Sequence, residues 1–263
     1  MSTLAWPAVL PAAARMSAGR LAGAYFAEAR YETLRMLRTP AFALPFLGLP
    51  VLFYLLFAVL IFGPAIRADA EAGPFIFTAF AVFGVMGPGI FGFGMAVANE
   101  REQGLLRLKR ALPMPPAAYL IAKLLMALLF AAIVMATMIG ALPLGAYHPS
   151  IAACFGVAAI NVLAALPFCA IGLFIGTRAS SRSAPGFVNV AYQVMMHVSG
   201  LFYPLPSVLA KIAPLWPTYH VQQLVLRVLG APNGGSALVH VLVLAGVTVS
   251  LTLLSVRRLA RVG

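Results

Sequence analysis

Leu124–Thr177 reads LLMALLFAAIVMATMIGALPLGAYHPSIAACFGVAAINVLAALPFCAIGLFIGT, 54 residues without one Asp, Glu, Lys or Arg. A bilayer crossing takes about 20 apolar residues, so this stretch is too long for one helix and long enough for two. Its break is Ala146-Tyr147-His148-Pro149-Ser150, a turn whose proline stops a helix. Crossings at 120–146 and 151–177 follow. Working outward, four more windows lack charge: 39–66, 72–99, 183–210 and 228–256. They predict spans at 41–63, 74–98, 185–203 and 236–256. The expected fold is all-α: a polytopic membrane protein with six transmembrane helices in one domain over 20–258, flanked by tails 1–19 and 259–263.

Composition agrees. Of 263 residues, 62% are hydrophobic and 9% charged, against roughly 25% charged in soluble domains. So few charges cannot cover a soluble globule, which excludes a soluble enzyme and a disordered chain. The 18 Lys+Arg against 6 Asp+Glu read as cytoplasmic-loop cations rather than a nucleic-acid footprint. Placed on the six spans, fifteen of these cations fall on one side. Only Arg67, Lys211 and Arg227 fall on the other. This asymmetry predicts both termini in the cytoplasm. No basic residue precedes the first apolar run, and Pro7 and Pro11 interrupt it, so residues 1–19 read as a cytoplasmic tail rather than a signal peptide.

Two shorter segments flank the spans. Over 20–38, Ala22, Tyr25, Phe26, Ala29, Met36 and Leu37 share one helical arc, and Arg20, Glu28, Glu32, Arg35 and Arg38 share the other. That pattern predicts an interfacial amphipathic helix. Segment 204–235 is apolar but carries Pro204, Pro206, Pro214 and Pro217, which forbid one continuous helix. Short outer re-entrant helices before the last span are expected there, among them one over 220–229, shielded by protein.

Chemistry-bearing motifs are scarce. Gly87-Pro88-Gly89-Ile90-Phe91-Gly92 matches a dinucleotide fingerprint but sits mid-span, where close helix packing explains it better. The lysines Lys109, Lys123 and Lys211 precede Arg, Leu and Ile, so no P-loop ends on them. No His-Glu-x-x-His or Gly-x-Ser-x-Gly occurs. Catalytic and metal-ligating residues are therefore expected to be absent. Cys154 and Cys169 would lie about 22 Å apart along one helix, too far for a disulfide. No predicted span holds a carboxylate, which argues against an ion-coupled carrier or channel.

Three features have functional readings. Asn189, Gln193 and His197 recur every four residues on one face of the fifth span, either as interhelical hydrogen-bond glue or as a polar stripe on a transport path. Phe80, Phe83 and Phe91 stand with Gly84 and Gly87 on the second span, as packing or as a pocket for an apolar substrate. Gly172 and Gly176 form a G-x-x-x-G in the fourth.

The loop Asn99–Pro115, NEREQGLLRLKRALPMP, is the most informative. Leu105, Leu108 and Leu112 at i, i+3 and i+7 predict a short amphipathic helix ending before Pro113. Its apolar edge would dock a cytoplasmic partner; the alternative is a solvated loop. This loop resembles that of the permease subunits of ABC-2 type exporters, with Glu100-Arg101-Glu102-Gln103-Gly104, then Ala111-Leu112-Pro113-Met114-Pro115, then Tyr119-Leu120-Ile121-Ala122-Lys123. Leu34–Pro40, Ser199–Pro206 and Pro214–His220 resemble further stretches of the same family, so the likeness spans about 25–258. Leu105 departs from the threonine common there.

The resemblance implies an exporter permease, an ABC transporter subunit and not an enzyme, multi-pass in the cell (inner) membrane. A separate ATP-binding cassette subunit would hold ATP and Mg, and a second copy or paralogous permease would complete the pathway. Glu100, Arg101, Glu102, Gly104, Leu105 and Leu108 would couple to the ATPase. Phe80, Phe83, Asn189, Gln193 and His197 would line the substrate path. Few charges beside Phe favour efflux of apolar or amphiphilic molecules such as drugs, peptides or lipids. An ion-coupled carrier or channel, or a membrane assembly factor without transport, is the alternative.

Overall fold

The computed structural model describes residues 17–106, 108 and 116–262. Every regular element among them is helical: α1 Ala18–Leu37, α2 Pro40–Leu55, α3 Gly63–Ala68, α4 Ala72–Glu102, α5 Pro116–Ala141, α6 Ile151–Gly176, α7 Ala184–Val198, α8 Ser207–Ala210, α9 Pro217–Val228 and α10 Ala237–Val262. A π-helical turn, Leu56–Ile61, extends α2, and 3₁₀ turns stand at Leu142–Leu144 and Ala213–Leu215. Five helical stretches are long and apolar enough to cross a membrane: Pro40–Ile61, Ala72–Glu102, Ala118–Leu144, Ile151–Gly176 and Ala237–Arg261.

Burial divides them. In the most apolar window of α4, 78% of residues are buried, against 17% for α2 and 6% for α10. Helix α4 is therefore the core, packed by α2, α5, α6 and α7. The exposed leucines and valines of α2 and α10 suit lipid.

Glycines set the tightest crossing. A Cβ on Gly172 would lie 2.6 Å from the Ile90 carbonyl oxygen and 2.8 Å from that of Gly89; one on Gly176 would lie 2.6 Å from that of Gly94. The G-x-x-x-G is thus a helix-packing face, and so is the 87–92 glycine run: Gly87 takes the Phe46 ring, and Gly89 takes Phe168.

Where the fifth span was expected at 185–203, α7 stops at Val198. Gly200 then adopts φ +79°, a left-handed conformation that ends a helix. Fifteen residues make about 22 Å, short of the hydrocarbon thickness. Helix α9 is fastened to this end of α7. Thr218 Oγ1 donates to the Met195 carbonyl at 3.0 Å and Gln222 Nε2 to that of Gly200 at 3.1 Å. Side chains of α9 thereby take up carbonyls that the end of α7 leaves without intrahelical partners.

Candidate functional site

One end of the bundle holds a buried charged cluster. Lys123, near the start of α5, is fully buried, and so are Glu32 of α1 and Glu100 of α4. The Lys123 ammonium donates to Glu32 Oε1, and to Glu100 Oε1 at 3.2 Å. Arg35 lies 2.9 Å from each of the same two carboxylates. Lys123 also stands 5.0 Å from the centre of the Tyr119 ring. Two acids and two bases balance, which is how charge survives burial. Burial and the two glutamates act in opposite directions on Arg35, and the glutamates win, raising its pKa.

This cluster corrects two expectations. Glu32 and Arg35 were placed on the polar arc of α1, facing water. Instead Glu32 is 1% exposed while Phe26 of the apolar arc is 72% exposed, because α1 packs on α5 and must supply a carboxylate to Lys123. Glu100 was expected at the surface of the loop; it points inward, fastened to α1 and α5. The signal for both was a lysine set inside an apolar stretch, which requires buried acids nearby.

The neighbouring loop residues do other work. Helix α4 runs on through Glu102, so residues 100–102 form the last turn of a long helix. Gly104, at φ +73°, ends it: its N–H reaches the Arg101 carbonyl at 3.2 Å. Arg101 donates to the carbonyls of Thr177 and, at 2.7 Å, of Ala179. Arg258 of α10 donates to the same Thr177 carbonyl at 2.9 Å. With Arg178, which donates to the Phe174 carbonyl at 3.2 Å, three arginines cap the C-terminal end of α6, where cations favour the helix dipole. Glu102 is exposed and accepts from the Ser181 hydroxyl. Leu105 is half-buried and Leu108 is exposed, whereas Leu106, which sequence periodicity passed over, is buried beside Phe93, Val97 and Leu173. Leu112, expected on the same edge, lies outside the described residues.

The second group lies mid-bundle. Phe80 and Phe83 of α4 join Phe57, Phe202 and Tyr192 in an aromatic cluster: Phe57–Phe80 stack at 5.5 Å, Phe80–Phe202 meet at 5.2 Å and Phe83–Tyr192 at 5.8 Å. A cavity of about 410 Å³ opens among Phe53, Phe57, Phe80, Phe83, His197 and Phe202. Beside it a smaller one, about 160 Å³, is lined by Phe46, Phe83, Phe91, Tyr192, Asn189 and Gln193. All five path residues expected from the sequence therefore border one of two cavities that share Phe83.

Helix α7 has two characters. Val188, Tyr192 and Met195 are buried toward α4, and the Tyr192 hydroxyl donates to the Phe83 carbonyl at 3.2 Å. Asn189, Gln193 and His197 are exposed on another face. Only the His197 ring among the three shows a hydrogen bond, to the Gln193 carbonyl on its own helix at 2.9 Å. Hydrogen bonding from these three side chains to another helix of the same chain is not formed among the described residues.

Comparison with known proteins fits this architecture. Residues 24–229 match the ABC-2 type transporter family. The chain is 27% identical over 201 residues to the Bacillus subtilis (strain 168) protein named "Putative transport permease YvfS", covering 72% of this chain and 78% of that protein. The matched region starts in α1 and ends just past α9, so it holds the charged cluster, the aromatic cavity and helix α9 together. This multi-pass helical membrane protein belongs to the ABC-2 type transporter family, as a permease.

Proposed function

We propose that the chain is the membrane-spanning subunit of an ATP-driven exporter, working as two copies with separate subunits that bind ATP and Mg. The observation that carries this reading is the face of α7. Asn189, Gln193 and His197 are exposed at the level of an aromatic cavity, and amides left in hydrocarbon without partners are costly. A second copy facing the first across a shared path would give them water or substrate. The path would be aromatic with sparse polar groups, suiting apolar or amphiphilic molecules.

In this reading α7 and α9 together make the sixth crossing, both termini lie in the cytoplasm of the cell (inner) membrane, and residues 20–258 act as one membrane domain. The ATP-binding subunits would press on the loop after Glu102. Glu100, held by Lys123 and Arg35, would pass that movement to α1 and α5 as one unit. ATP would shift the population between inward- and outward-facing forms because it binds one of them better. The test is reconstitution with the ATP-binding subunit in vesicles. Substrate-stimulated hydrolysis is expected, and Gln193→Leu should change which substrates stimulate it while leaving the complex assembled. Transport that follows an ion gradient without ATP would overturn the reading.

A further inference from the structure

At the end of the bundle away from the charged cluster, two buried histidines meet. His220 of α9 and His240 of α10 are each 3% exposed. Their Nδ1 atoms are 2.8 Å apart. His220 Nε2 lies 2.8 Å from the Pro214 carbonyl oxygen, and His240 Nε2 lies 2.7 Å from that of Gly234. Carbonyl oxygens only accept, so each Nε2 must carry a hydrogen. The facing Nδ1 atoms need one more between them. Three protons on four nitrogens is one more than two neutral imidazoles hold. A neutral pair leaves one of the three contacts as opposed lone pairs, and a doubly protonated pair sets N–H against N–H. A tetrahedral zinc bridge does not fit, since two ligands at the usual zinc–nitrogen distance stand about 3.3 Å apart, and among the described residues no third His, Cys, Asp or Glu joins the pair to complete a metal site.

We propose that His220 and His240 form a one-proton site, an imidazole and an imidazolium sharing a hydrogen, that fastens the re-entrant helix to the last span. Few other ionisable groups surround it. The Tyr219 ring lies 5.4 Å from that of His220 and 6.0 Å from that of His240. Arg227 donates to the Gly235 carbonyl at 2.6 Å, next to Gly234. Asp69 and Glu71 border the same cavity as Tyr219. Helix α6 has no charged residue, α7 has only His197, and α4 has its charges at the far end. Burial of both rings and the charge of the first proton oppose a second. The geometry fits one proton, so the fastening weakens when that proton is lost or a second is added. Because Thr218 and Gln222 of α9 hold the end of α7, the proton steadies the wall of the aromatic cavity.

The test uses full-length protein in lipid nanodiscs, with His148→Gln and His197→Gln to leave two histidines, ring-labelled with ¹⁵N. A ¹⁵N–¹⁵N coupling across the shared hydrogen is expected at about pH 6.5, with loss by about pH 10. His220→Gln should abolish it; should that variant not fold, the pH titration decides alone. Two neutral rings without coupling at every pH from about 5 to 8, or a coupling that survives unchanged at about pH 10, would overturn the proposal.

Discussion

Replacing Lys123 by methionine removes the one cation that the cluster keeps entirely from solvent. Glu32 and Glu100, with side chains 1% and 5% exposed, would then share Arg35, which is 34% exposed. Two buried carboxylates with one partner leave a net buried charge. Removing one partner of a buried ion pair costs about 3–5 kcal/mol. At roughly 2–4 °C per kcal/mol for a chain of this size, the unfolding midpoint should fall by about 6–20 °C. Methionine fills similar space, so the loss is electrostatic rather than a cavity. The assay is thermal unfolding in detergent, followed through the reaction of buried Cys169 with a thiol-reactive dye. The double variant Lys123→Met/Glu32→Leu keeps the 2.9 Å Arg35–Glu100 pair and restores balance, so it should recover most of the midpoint. A single variant within about 2 °C of the parent, or a double variant no better than the single, would refute the charge-balance argument.

Gly172→Val drives a Cβ into two backbone oxygens that cannot swing away, so its cost should exceed the usual overpacking loss of about 1–3 kcal/mol, seen as loss of monodisperse protein on size exclusion. Gly140→Ala, with nothing within 4 Å, should instead match or exceed the parent in melting temperature. Gly104→Pro asks for φ near −65° where the chain has +73°, and Glu102→Ala loses its Ser181 contact. Both should lower ATP-driven vesicle transport far more than membrane insertion; equal loss of the two would make this loop a mere linker. For topology, cysteines at Arg20 and Arg261 should be shielded from an impermeant thiol reagent in intact cells, and one at the exposed Asn233 should react. The reverse pattern would invert the orientation.

Charge-free windows were enough to find five membrane-length helices, and Pro149 correctly marked the break between α5 and α6. These features are local: hydropathy and a proline act over a few residues. The charged cluster was not legible because its members come from α1, α4 and α5, with Glu32 separated from Lys123 by 91 positions. Helical periodicity on α1 alone sends Glu32 to water; only the buried lysine on another helix reverses it. The early end of α7 was partly legible, since Ser199-Gly200 stands in the predicted span. The α9 side chains that take its carbonyls come some twenty residues later and could not be assigned by spacing. In the candidate path, periodicity singled out Asn189, Gln193 and His197 but not Phe57 and Phe202, which enter the cavity beside His197 from the π-helical turn of α2 and the loop after α7.

The double cap on Thr177 has a consequence for biogenesis. Arg101 is synthesised before the carbonyl it binds, but Arg258 follows 81 positions later, near the end of the chain. While the ribosome is still making α7–α9, the Thr177 carbonyl has only one of its two arginine donors. The joint between α4 and α6 is completed only when α10 has inserted and brought its arginine alongside. A polypeptide halted before α10 would carry an unfinished joint at that membrane face, a mark by which quality-control proteases could distinguish a stalled subunit from a finished one.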